Sequence, residues 1–173
     1  MRAVAAFGLI LGVLPAAAGC SADAGETAEG ESVAPSPSSA GAEERALDAY
    51  EGLMGAIVEG SHEGATGHPD IAWYAKGQAR ELAEDMLNGT RATGEPDLAP
   101  EVTEVDLEDD PPTIVIEDCA DGSEWLIVEE DLEGLEEPPQ EEGLRLQTAT
   151  VTEESGGWQV EKLWIGDTGG CDR

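Results

Sequence analysis

The hydrophobic period of this chain changes once, at Pro100, and that change bounds the fold. Between Ala42 and Asn88 apolar residues recur at spacings of three and four, the mark of helices with one buried face. Ala46, Leu47, Tyr50, Leu53, Met54, Ile57 and Val58 make the first such stripe, with Glu43, Glu44, Asp48 and Glu51 facing away. It predicts a helix from Ala42 to about Glu59, stopped by Gly60. A second helix is expected from Pro69 to Tyr74. A third should run from Gln78 to about Asn88, its face formed by Ala79, Leu82, Met86 and Leu87, with Gly77 between the two.

Beyond Pro100 the period is two. Strands are expected at Val102–Leu107, at Thr113–Cys119, at Ser123–Glu129 after an Asp121-Gly122 hairpin turn, at Leu144–Thr152 and at Trp158–Ile165. In the last strand alternation places Trp158, Val160 and Trp164 on one face. Helices first and antiparallel strands afterwards give an α+β fold, with N-terminal helices packed on a curved sheet of four to five strands. About 130 residues are enough for one core and too few for two.

The N-terminus reads as a targeting segment. Met1-Arg2 is positive, and Ala3 to Leu14 is an apolar run too short to span a bilayer, which takes about 20 residues. Ala17-Ala18-Gly19-Cys20 resembles the lipobox of bacterial lipoprotein precursors, so residues 1–19 are expected to be a signal peptide and Cys20 a lipidated anchor. Plain cleavage after Ala18 is the rival. Cysteine arithmetic favours lipidation: Cys20, Cys119 and Cys171 are an odd set, and lipid on Cys20 leaves the other two to pair. Residues 20–41 lack large apolar side chains and are expected to be a disordered tether, leaving a single domain at 42–173. The partner so implied is a membrane, reached through the lipid, with the domain monomeric on its extracellular face.

Charge removes other partners. With 39 acidic and 8 basic residues the chain carries −31, which opposes nucleic acid and anionic lipid alike. No G-x-S-x-G, H-E-x-x-H, C-x-x-C or phosphate loop is present. No cofactor and no metal are expected: His62 and His68 have no neighbouring cysteine, and the acidic stretch from Glu129 to Glu142 lacks calcium-loop spacing.

Three short motifs, in order, resemble a family of secreted or lipid-anchored actinobacterial proteins. They are Tyr74-Ala75-Lys76-Gly77-Gln78-Ala79, then Asp118-Cys119-Ala120-Asp121-Gly122-Ser123-Glu124-Trp125, then Gly156-Gly157-Trp158-Gln159-Val160, followed by the terminal Cys171. The resemblance implies a cone-shaped nuclear transport factor 2-like (SnoaL-like) fold and a Cys119–Cys171 disulfide, with no established activity. Should such a cone hold a pocket, Tyr74, Asp118, Trp125 and Trp158 are its candidate lining residues. His68, Asp70, Tyr74, Glu117 and Asp118 are the available acid–base groups. Local roles compete with catalysis: His68 precedes a helix, and Asp118 and Asp121 flank a turn. Three readings follow. The leading one is a non-enzymatic domain binding a small molecule or partner outside the cell. The others are a SnoaL-like enzyme using Asp118 or His68, and an envelope protein without a discrete ligand.

Overall fold

The computed structural model describes residues 37–133, 143–154 and 157–172. The signal peptide, Cys20 and residues 20–36 of the tether lie outside the described residues. So do residues 134–142 of the acidic stretch.

The fold is α+β. Helices α1 (Pro37–Glu63), α2 (Ile71–Tyr74) and α3 (Gly77–Met86) come first. Strands β1 (Ala92–Thr93), β2 (Pro100–Asp106), β3 (Thr113–Asp121) and β4 (Leu126–Ile127) follow, then the single turn α4 (Glu129–Leu132), β5 (Leu144–Glu154) and β6 (Gly157–Thr168). The main sheet is antiparallel with order β2-β3-β5-β6, and β1 pairs β4 in a separate two-stranded ribbon. α1 and α3 pack on the sheet, chiefly against β6.

α1 is longer than its apolar stripe suggests at both ends. Residues 37–41, assigned above to the tether, are helical, since proline is tolerated in a first turn and Ala42 is already buried. At the other end Gly60 does not stop the helix. A Cβ there would overlap the Leu87 side chain, so this glycine serves close packing against α3. The stop is Gly64, with a positive φ of 63°. Gly52 has the same packing role towards the Tyr74 ring.

The main sheet has four strands because Ser123–Glu129 leaves it. β3 is already paired on both sides, with β2 and with β5. The carboxylate of Asp121 accepts from the Ser123 backbone N–H at 2.9 Å, turning the chain out of the sheet instead of into a hairpin. Leu126–Ile127 then pairs Ala92–Thr93. Arg91 locks this ribbon to α4: its guanidinium donates two bonds to Asp131, at 3.0 and 3.2 Å, and its backbone N–H a third at 2.8 Å.

The core face of β3 carries Ile114, Ile116, Asp118 and Ala120, and that of β5 carries Gln147, Ala149 and Val151. On β6 the core positions are Trp158, Val160, Leu163 and the half-buried Ile165. Trp164 therefore does not share the face of Trp158 and Val160; it is 58% exposed. The register shifts between Thr150 and Val151, which face Lys162 and Val160, so Glu161 is an extra residue. One inserted residue inverts the parity of everything after it.

Candidate functional site

Strand parity sets one carboxylate into the core. Asp118 sits directly opposite Gln147 across β3 and β5, both pointing inward, and α1 lays Tyr50 over them. The Tyr50 hydroxyl donates to Asp118 Oδ2 at 2.8 Å and lies 3.2 Å from Gln147 Oε1. The backbone N–H of Ala99 donates to the second oxygen, Oδ1, at 2.8 Å. Tyr50 and Asp118 are sealed, at 0% and 1% exposure. Burial, with the Asp118 charge beside it, pushes the Tyr50 phenol far above its ordinary range, so it stays protonated as a donor. A phenol has one hydrogen and cannot serve both neighbours. Rotating the Gln147 amide half a turn lets its nitrogen donate to the phenol oxygen, which closes the set.

The other expected pocket residues go elsewhere. Tyr74 packs against Gly52 of α1, and Trp125 donates from Nε1 to Ser61 Oγ at 3.0 Å. Trp158 is buried, and its Nε1 has no partner among the described residues. The remaining acid–base candidates also stay apart. Glu117 faces outward from β3, Asp70 is exposed before α2, and His68 Nε2 lies 3.6 Å from Glu59 Oε2. Tyr74, Asp118, Trp125 and Trp158 do not converge on one cavity wall.

The sequence motifs instead mark joints. Around Ala75, α2 and α3 dock on the outer edge of β6: Ala75 bridges Val160, and the Lys76 N–H donates to the Val160 carbonyl at 2.9 Å. Gly77, at φ 53°, then turns the chain so that Gln78 can act as a substitute strand residue. Its Nε2 donates to the Leu163 carbonyl at 3.0 Å, and its Oε1 accepts from the Leu163 N–H at 2.8 Å. One edge of the sheet is thereby closed by a side-chain amide. Cys119 and Cys171 are joined in a disulfide that ties the C-terminus to β3.

The open concavity lies on another side of α1. A groove of about 270 Å³ runs between that helix and residues 94–98. Met54 and Val58 of α1 and Pro96 and Leu98 opposite give it an apolar floor. Glu51 and Glu59 stand on the helix side, Glu95 on the facing wall, and His62 at the end. His62 Nε2 is 2.6 Å from the Gly94 carbonyl, holding the wall to the helix. Glu51, Gly55, Glu59 and His62 recur at four, four and three residues, a single helical stripe. No lysine or arginine lines the groove. Among the described residues Glu51 and Glu95 take part in no ion pair, and no group of three metal-ligating side chains is gathered anywhere.

The sequence matches no protein-family model and no curated protein. Among solved structures it is similar to the intermembrane space region of the chloroplast protein ARC6, with 12% identity and a TM-score of 0.41. That match covers 73% of this chain and 97% of the other, and at such a score it carries no argument about function.

Proposed function

We propose that this chain is an exported, lipid-anchored binding domain without catalytic activity, and that the groove beside α1 is where it takes its ligand. The observation that carries this reading is the contrast in pairing. The buried polar set is satisfied from within the protein, whereas the groove presents apolar floor and ionised rim with no protein partner for Glu51 or Glu95. Ligand sites are concavities that combine apolar lining with a few polar groups. Acid–base chemistry at Asp118 would require a substrate to reach a carboxylate sealed at 1% exposure, with both oxygens already accepting hydrogen bonds. A membrane anchor would come from Cys20: no helix among the described residues is long and apolar enough to cross a bilayer.

Two measurements test the two halves. Detergent phase partition should carry the wild type into the detergent phase and leave Cys20→Ser in the aqueous phase; equal partition contradicts the anchor. An NMR screen with neutral, cationic and anionic fragments should shift the amides of residues 51–62 and 94–98. Hits gathered around Asp118, or no hits in the groove, contradict the binding site.

A further inference from the structure

We infer that the groove selects a linear aliphatic polyamine, a chain of methylenes carrying positive charges at both ends. This rests on the groove being the binding site. Glu51 and Glu59 are eight residues apart on one helix, which separates them by about 12 Å along its axis. Glu95 faces them from the opposite wall. Between the carboxylates the floor offers methyl and methylene groups from Met54, Val58 and Leu98.

A neutral apolar ligand would cover the floor and leave the carboxylates with nothing. A metal ion would waste the floor, and an anion would be repelled. An extended diamine satisfies both: each ammonium donates charge-assisted hydrogen bonds to a rim carboxylate, and the methylenes lie on the apolar strip. The volume, near 270 Å³, suits one such chain rather than a folded peptide. The described ion pairs reinforce the choice. Lys76, Arg80 and Arg91 pair with Glu154, Glu84 and Asp131, all away from the groove, so the protein supplies no competing lysine or arginine there.

The test is calorimetric titration of the full exported chain carrying Cys20→Ser with octamethylenediamine, at roughly physiological ionic strength so that diffuse attraction is screened. One saturable site is expected. Glu59→Gln with Glu95→Gln should weaken binding roughly tenfold or more, each lost charge-assisted contact costing several-fold. Glu104→Gln, which removes the same charge from the exposed β2 edge, should leave affinity within about twofold. Trimethylenediamine, with equal charge but too short to span the helix-side carboxylates, should bind at least about tenfold more weakly. Non-saturating heats, or equal weakening by Glu104→Gln, would identify diffuse condensation on an acidic protein and overturn the inference. Equal affinity for the eight-carbon diol would overturn the charge requirement while leaving the groove a binding site. No diamine binding, with other fragments still mapping to the groove, would overturn the ligand class alone.

Discussion

Tyr50 and Glu51 are neighbours in sequence, a hundred degrees apart on the same helix, and they face two different fates for a carboxylate. Tyr50 turns inward and donates to Asp118, a carboxylate removed from water and given two donors. Glu51 turns towards the groove, where it, Glu59 and Glu95 keep their solvent and lack a lysine or arginine partner. A buried charge is tolerable only when its lone pairs are filled, so the inner site is closed by its own stability requirement. The rim carboxylates have no such requirement. They can stay unpaired in water and be filled by something else.

Breaking the inner set should produce the largest effect. Asp118→Ala strands the Ala99 N–H and removes the phenol's acceptor, and should cost about 3 kcal/mol in chemical denaturation. Asp118→Asn should cost less than about 1 kcal/mol, because the set can reverse: the new amide donates to the phenol, which donates to Gln147 Oε1. If Asn is as damaging as Ala, the charge itself holds the core, and the inner site is less self-contained than described here. Tyr50→Phe is next, at about 1–2 kcal/mol. It should also flatten the alkaline limb of the stability profile. The folded-state pKa of Tyr50 lies above that of the unfolded chain, so its contribution is complete below about pH 10 and declines as pH rises further. An alkaline limb unchanged in Tyr50→Phe would contradict the assignment.

The acidic limb offers a smaller contrast. Hydrogen bonds from Arg91 hold the Asp131 carboxyl below its ordinary range, so that clamp stabilises above about pH 4 and is lost as pH falls through the lowered value. Arg91→Ala should therefore shrink the stability lost on acidification, read from thermal melts. Least affected should be the groove variants. Glu59→Gln and Glu95→Gln should shift stability by no more than about 0.5 kcal/mol, as exposed side chains that hold nothing together. A loss beyond about 2 kcal/mol would make the groove a structural joint instead of a site.

The architecture was legible where one period dominates. Helices before Pro100 and strands after it follow from apolar spacing, and the α+β class follows from their order. The inner carboxylate pair was legible too, had parity been followed: in Thr113–Cys119 the inward Ile114 and Ile116 put Asp118 on the core face, and in Leu144–Thr152 the inward Ala149 and Val151 do the same for Gln147. What parity could not supply was the bulge at Glu161, which moved Trp164 to the surface, since an unpaired residue depends on the partner strand. Nor could local signals show that Gly60 is a packing glycine, because its reason is Leu87 on another element. The Asp121-Gly122 pair carries good hairpin chemistry, but β3 had no free edge for Ser123–Glu129 to join. The groove was least legible. Glu51, Glu59 and His62 read as a solvated helix face until residues 94–98 are seen opposite them.

Affinity for octamethylenediamine in Asp118→Asn beside Glu95→Gln tests the division between closed interior and open groove most directly. Both remove one carboxylate charge, one from the sheet's inner face and one from the groove wall. Unchanged affinity in Asp118→Asn, with a several-fold loss in Glu95→Gln, is the predicted result. Loss of binding in Asp118→Asn with Glu95→Gln unaffected would contradict it, placing the ligand in the interior.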